Sequence, residues 1–156
     1  PTRFHNSVHN AAAGYWGIAT GATAPCQVIA GFDASFGAGL LDALAQVVTG
    51  QVPVLLIAYD SEYPQPLHAK RDTPDCAGVA LLLSPQQGAR SQARLQLAPT
   101  GEAAQTCTVP ALENLRRQIP ALRALPLLQQ LAAQRSGRCV LDYLPPMQLA
   151  AELTVC

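Results

Sequence analysis

The residue best placed for chemistry is Asp33, which stands where an apolar run turns into a long helix rich in small residues. A helix N-terminus carries partial positive charge and unpaired N–H groups, so an aspartate there is expected to act as an N-cap. The local sequence Asp33-Ala34-Ser35-Phe36-Gly37 also partly matches a nucleophile elbow with Ser35 as the nucleophile. That motif requires glycine where Asp33 stands, so the match is broken.

The histidines and two further aspartates are weaker candidates for a functional site. His68 can serve Ser35 as a base, but it lies in a charged loop, which favours an exposed side chain. His5 and His9 are four residues apart, a spacing that suits a metal pair, yet neither a third ligand nor an H-E-x-x-H motif accompanies them. Asp72 and Asp75 flank a Thr-Pro pair and are typical of a turn. We therefore predict no metal site and no cofactor.

Composition excludes several classes of function. The 156 residues are 49% hydrophobic and 13% charged with a formal net charge of zero, so a nucleic-acid partner is not expected. No apolar run is long enough to span a bilayer. An odd number of cysteines without a C-x-x-C pair indicates reduced thiols and a cytoplasmic protein. These cysteines are Cys26, Cys76, Cys107, Cys139 and Cys156.

The elements around Asp33 alternate between helix and strand. A helix capped by Asn6 or Ser7 ends at Gly21, and the apolar run CQVIAGF that follows is predicted to be a buried strand. A central helix over about residues 34–48 is apolar on nearly every side, which predicts burial all round. A continuous apolar run over residues 53–60 predicts a second buried strand, parallel to the first through a right-handed crossover.

The rest of the chain continues the pattern. Residues 61–74 form a proline-rich loop, and strands are predicted at 77–85, 91–99, 138–144 and 147–155. Leucines at helical spacing indicate short helices broken by Pro120 and Pro126. The predicted fold class is α/β, with a mixed, mostly parallel sheet and a buried central helix, in a single domain over residues 1–156. Because the chain begins at Pro1 without a methionine, we expect this domain to lack a leading strand and helix.

The order of these parts resembles a known family. An Asn-Ser-Val-x-Asn-Ala helix containing Gly14, a turn ending in Ala24-Pro25, a strand, a sharp turn, a small-residue helix and another buried strand resemble the N-terminal half of a β-ketoacyl synthase. The stretch PDCAGVALLLSP resembles the strand that closes this half. Residues 86–156 resemble the compact β-ketoacyl synthase-like N-terminal domains found beside pigment and polyene synthases. The resemblance implies half of a thiolase fold.

This resemblance also implies a function. It places the nucleophilic cysteine of an active synthase on Asp33, and a carboxylate is a feeble nucleophile and a poor acyl carrier. His5, His9 and His68 do not occupy the motifs of the histidines that drive decarboxylation. The chain is therefore similar to a chain-length factor, a synthase homologue without the cysteine that pairs with an active ketosynthase in fatty-acid, polyketide or aryl-polyene assembly. Acyl carrier protein is the other implied partner.

Two alternatives from other classes remain. One is a small serine-dependent acyltransferase or thioesterase that uses Ser35 or Asp33 with a histidine. The other is a structural homodimer without acyl chemistry.

An interface with a ketosynthase or with a second copy is expected where small and aromatic residues share the first helix and where the CQVIAGF strand has an open edge. Its predicted members are Ala11, Ala12, Ala13, Gly14, Trp16, Val28 and Ile29.

Overall fold

The computed structural model describes residue 4 and residues 7–156, so His5 and Asn6 lie outside the described residues. The chain divides between Ala30 and Gly31 into two units. Within the described residues, the first unit contains the helix α1 (Ala11–Thr20), which buries no residue and ends at Gly21 in the left-handed conformation, with φ 67°. The predicted stop at Gly21 is confirmed, because glycine adopts positive φ without steric cost.

The predicted strand CQVIAGF is wrong. No strand is assigned to residues 21–31, and Val28 and Ile29 are exposed. In the described part of the chain, no backbone hydrogen bond joins residues 25–30 to another segment. β-Branched residues favour a strand only when a neighbouring strand accepts their backbone groups.

The second unit begins with a 3-10 turn (Phe32–Ala34) that leads into the long helix α2 (Ser35–Gly50). Two strands follow, β1 (Val54–Asp60) and β2 (Ala77–Leu83). The remaining elements, in chain order, are β3 (Ala93–Thr100), α3 (Pro110–Gln118), a 3-10 helix (Pro120–Ala124), α4 (Leu125–Ala132), β4 (Gly137–Leu141) and β5 (Gln148–Val155).

The strands form two small antiparallel sheets. β1 pairs with β2 along its whole length, with Val54 opposite Leu83 and Asp60 opposite Ala77. In the other sheet β5 lies between β3 and β4 and is antiparallel to both. The prediction of a mixed, mostly parallel sheet is therefore wrong. It depended on a crossover from the CQVIAGF strand to β1, and that first strand does not form.

Helix α2 supplies much of the core, but through one face only. Its buried large residues follow helical spacing at Phe36, Leu40 and Val47, whereas Val48 at its end is exposed. The expectation of burial on every side is wrong, because two small sheets cannot surround a helix. Partly buried Leu41 and Leu44 widen the buried stripe, as expected for an amphipathic helix.

The core continues under the second sheet and the short helices. Leu127 from α4 packs with Cys139, Leu141, Leu149 and Leu153 from β4 and β5. Pro120 and Pro126 break the leucine-rich run as predicted, and each stands in the first turn of a short helix, as Pro110 also does. Among the described residues, no helix is both long and apolar enough to cross a membrane.

Candidate functional site

The candidate site lies at the start of α2, where the backbone turns sharply. Phe32 has φ 55°, an uncommon value for an aromatic residue, and it opens the 3-10 turn that contains Asp33. The Ser35 hydroxyl braces this turn: it donates to the Phe32 carbonyl at 2.7 Å and accepts from the Gly31 N–H at 3.0 Å. The Ser35 side chain thus satisfies backbone hydrogen-bonding groups of the turn, so the Asp33 carboxylate is available for another contact.

Asp33 pairs with Arg71 instead of capping the helix. Its carboxylate accepts a short hydrogen bond from the Arg71 guanidinium, and no side-chain cap bond forms at the start of α2. The guanidinium carbon also lies 4.0 Å from the centre of the Phe32 ring, a cation–π distance. The N-cap prediction is wrong, because the 3-10 turn separates Asp33 from the first turn of the α-helix. Instead, the contact fastens the loop between β1 and β2 to the start of α2.

The ion pair continues into a chain of alternating charges. The Arg123 guanidinium lies 3.9 Å from Asp33 and 3.2 Å from Asp142. Asp142 also accepts from Arg116, which holds Glu113 by two bonds of 2.7 and 2.8 Å. We call this arrangement the ion chain; its members, in order, are Arg71, Asp33, Arg123, Asp142, Arg116 and Glu113.

The arginines of the ion chain become less exposed in the order Arg71, Arg123, Arg116. Arg116 is only 4% exposed, which an arginine tolerates only when carboxylates neutralise it. Its hydrogen bonds hold the pKa of the Glu113 carboxyl at about 2, and the same bonds raise the pKa of Arg116. Glu113 also accepts the Cys107 N–H at 2.8 Å. Three arginines and three carboxylates balance, so the ion chain offers no surplus charge to a bound anion.

Asp60 adds a fourth carboxylate near the open end of the ion chain. It ends β1 and accepts the Ala121 N–H at 2.7 Å, so it caps the 3-10 helix from another element. Burial raises the pKa of Asp60, while the Ala121 N–H and nearby Arg71 oppose the rise. The Asp60 carboxylate thus accepts a hydrogen bond at the start of this helix, where backbone N–H groups have no acceptor within the helix.

Thiols are absent from the start of α2. Cys107 and Cys139 are buried in the core region, and burial raises the pKa of both, to about 11 for Cys139. Cys26, Cys76 and Cys156 are exposed, and no cysteine occurs in residues 31–50. A buried thiol with a raised pKa is a poor nucleophile.

The histidines do not assemble a catalytic group with Ser35. His68 lies 3.8 Å from Asp72, its neighbour one helical turn along the loop, whereas both hydrogen bonds of the Ser35 hydroxyl go to local backbone. Across the described residues, no three side chains of the metal-ligating types come together. His5, one half of the predicted His5–His9 pair, lies outside those residues.

The predicted interface residues lie in the first unit. Ala12, Gly14 and Trp16 are exposed on α1, and Ala11 and Ala13 are half-buried. Val28 and Ile29 are exposed in a segment without regular structure.

Sequence reasoning missed the arginines of the ion chain. It singled out Asp33 but gave no role to Arg71, Arg116 or Arg123. The small number of charged residues was the available signal for these arginines. Only 13% of residues are charged, and an arginine inside a leucine-rich helical segment needs a buried carboxylate partner. Asp142, inside the strand predicted over residues 138–144, was such a candidate.

Comparison with known proteins gives one finding. A family model described as beta-ketoacyl synthase, N-terminal domain, matches residues 1–142. No curated protein and no solved structure matches the chain.

Proposed function

The chain belongs to the β-ketoacyl synthase N-terminal domain family, and we propose that it is a non-catalytic subunit of chain-length-factor type. The family supports a ketosynthase-like role in biosynthesis. The protein serves fatty-acid or polyketide assembly, aryl polyenes included, beside an active ketosynthase in the cytoplasm. The observation that carries this proposal is the pairing of Asp33 with Arg71 at the position that the resemblance gives to the nucleophilic cysteine.

The chemistry of Asp33 supports the absence of acyl transfer. A carboxylate that is hydrogen-bonded to an arginine has its electron pairs engaged and is an even weaker nucleophile than a free one. An acyl group on Asp33 would form an anhydride, which water cleaves. It would also remove the negative charge that Arg71 and Arg123 face. Acylation therefore opposes the electrostatics of the turn.

The serine-dependent alternative lacks comparable support. A nucleophilic serine needs a base within hydrogen-bond reach of its hydroxyl. The Ser35 hydroxyl instead donates a hydrogen bond to the Phe32 carbonyl, and this bond stabilises the turn. An acyl group on Ser35 would break this bond. We therefore favour the ketosynthase-like subunit over an acyltransferase or thioesterase.

Acylation of the unmodified protein and the reactivity of a thiol at position 33 test the catalytic part of this proposal. The unmodified protein is expected to gain no mass from acyl carrier protein thioesters. Asp33→Cys creates a thiol beside Arg71 and close to the positive end of α2, and both lower a thiol pKa. We expect this thiol to react with iodoacetamide about tenfold faster than the thiol of Val48→Cys at the other end of the helix. Peptide mapping by mass spectrometry measures both rates.

Two outcomes would contradict the non-catalytic assignment. A stable acyl adduct on the unmodified protein would reject it, and an adduct mapped to Ser35 would establish the serine alternative. Carbon–carbon bond formation by Asp33→Cys alone would show that the chain carries the rest of the condensing machinery.

Association with a partner tests the other part. We expect the protein to form a heterodimer with an active ketosynthase, or a homodimer when it is alone, through the small and aromatic residues of α1 and the segment around Val28. Ala12→Arg places a charged side chain within that surface. It is expected to weaken association at least tenfold without changing the unfolding of the second unit. Sedimentation measures the association.

Ala45→Arg is the matched control, because Ala45 is also an exposed helical alanine but lies on α2. It should leave association unchanged. If the unmodified protein sediments as a monomer with and without a ketosynthase, the partner-subunit assignment fails. The acylation result would still stand.

A further inference from the structure

The connection between β1 and β2 is much longer than the two strands require. Asp60 lies opposite Ala77, so a hairpin loop of about two residues would join them, but sixteen residues lie between. Thr73 is 1% exposed and anchors the end of this connection near β2. We call residues 61–72, between the end of β1 and this anchor, the strap.

One side chain joins the strap to another element of the second unit. Among the described residues, the backbone hydrogen bonds of the strap stay within it, and so does the ion pair of His68 with Asp72. Arg71 alone reaches further, to the Asp33 carboxylate and the Phe32 ring. The side chains of Arg71 and Asp33 are 23% and 42% exposed. Ion pairs with this much access to water contribute little, so the strap is weakly held.

Arg71 loses a hydrogen bond to water when it makes this contact. Its Nε–H is buried and has no acceptor among the described residues. A buried donor without a partner destabilises the state in which it is buried, and this loss is regained when the donor reaches water. The unmet Nε–H therefore offsets part of the stabilisation that the ion pair gives to the closed strap.

A second arginine can neutralise Asp33 when Arg71 leaves. The Arg123 Nη2 atom lies 3.9 Å from the other Asp33 oxygen, about 1 Å beyond a hydrogen bond. Arg123 belongs to the 3-10 helix and also pairs with Asp142, so it does not move with the strap. Opening of the strap thus does not leave Asp33 as an unpaired charge, which is what makes breaking a buried ion pair costly.

Asp60 is a charged group that opposes this opening. Its carboxylate lies near both Arg71 and Asp33, and it attracts the first and repels the second. Both effects favour the contact of Arg71 with Asp33. The strap is therefore closed in most molecules, and the open strap is a minor state.

We propose that the strap opens and closes at the start of α2 while the rest of the second unit stays folded. In the closed state Asp33 pairs with Arg71. In the open state Asp33 pairs with Arg123 alone, and the Arg71 guanidinium is free. The strap thus regulates access to the Asp33 carboxylate, whether or not the protein catalyses acyl transfer.

Chemical modification of arginine side chains tests the proposal on the full chain. Phenylglyoxal reacts with a guanidinium group that is free, and peptide mapping by mass spectrometry gives the rate for each arginine. Arg90 is exposed and serves as the free reference, whereas Arg116 is 4% exposed and reports unfolding of the unit. Arg71 is expected to react more slowly than Arg90 but about tenfold faster than Arg116. In about 0.5 M sodium chloride the Arg71 rate should rise about threefold relative to that of Arg90, because salt screens the partly exposed pair.

Two substitutions should change the Arg71 rate in opposite directions. Asp33→Asn removes the charge that holds the strap and should raise the rate about fivefold. Arg123→Gln removes the cation that neutralises Asp33 in the open state, and it should lower the rate about threefold. Arg117→Gln is the matched control, because Arg117 is an exposed arginine on α3, and it should leave the rate unchanged. A general loss of stability can only raise the rate, so the decrease in Arg123→Gln separates strap opening from destabilisation.

Several results would overturn the proposal. An Arg71 rate equal to that of Arg116 would show that the strap opens only when the whole unit unfolds, and a rate equal to that of Arg90 would show that no closed state exists. An unchanged rate in Asp33→Asn, or a rate that rises in Arg123→Gln while the Arg116 rate stays constant, would also reject it. If Arg123→Gln raises the Arg116 rate, the salt dependence and Asp33→Asn decide the test.

Discussion

Replacing Gly37 by alanine is expected to destabilise the second unit by about 3 kcal/mol, although alanine is the better helix former. A Cβ atom at this position would lie 2.5 Å from the backbone oxygen of Asp142. A backbone oxygen cannot rotate away as a side chain can, so α2 or the segment after β4 must shift. Because Asp142 also pairs with Arg116 and Arg123, any shift disturbs the ion chain as well. Urea unfolding measures the change.

Gly39→Ala provides the control within the same helix. A Cβ atom there would meet the Leu56 Cδ1 methyl at 3.2 Å. That methyl is the end of a flexible side chain and can give way, so the change in unfolding free energy should stay below about 1 kcal/mol. Equal effects of the two substitutions would contradict the close approach of α2 to Asp142.

Arg116→Met is expected to cost about 3–5 kcal/mol of unfolding free energy at neutral pH. Methionine fills much of the same volume but leaves the carboxylates of Glu113 and Asp142 without their buried cation. Urea unfolding again gives the value. Arg117→Met is the matched control, since Arg117 is the exposed neighbour on the same helix, and its effect should stay within about 0.5 kcal/mol.

The Arg116→Met effect should also depend on pH. Arg116 holds the pKa of Glu113 at about 2, below its usual 4.5, so the pair stabilises the fold fully above pH 4.5 and loses this contribution as pH falls towards 2. The difference in unfolding free energy between the unmodified protein and Arg116→Met must therefore become smaller between pH 6 and pH 3. A difference that stays constant with pH, or an effect no larger than that of Arg117→Met, would show that the ion pairs contribute little to stability.

Patterns local to one segment predicted many of the helices and strands, although the predicted sheet was wrong. Leucine spacing and proline positions located the short helices, and apolar runs located β1, β2 and β5, because period and turn chemistry are written within a few residues. Pairing was predicted wrongly. The run CQVIAGF has the composition of a strand, but a strand exists only with a partner, and composition does not reveal the partner. The parallel sheet built on that run failed with it.

At the candidate site, too, the sequence predicted a local feature but not the residue that pairs with it. Asp33 was identified from its place before α2, but its partner, Arg71, is 38 residues away. Nothing in the local sequence distinguishes an aspartate that caps a helix from one that binds an arginine in a loop. The 3-10 turn at Phe32 decides between them, and a positive φ at a phenylalanine has no sequence signature.

The order β3–β5–β4 has a consequence for synthesis on the ribosome. β5 is made last, yet it is the strand that joins the other two, which do not pair with each other. Until residue 155 has left the exit tunnel, β3 and β4 both present unpaired edges and the apolar side chains that β5 will cover. This unit therefore folds only after synthesis of its last strand, and a nascent chain that stalls before that point exposes two aggregation-prone edges to chaperones and proteases.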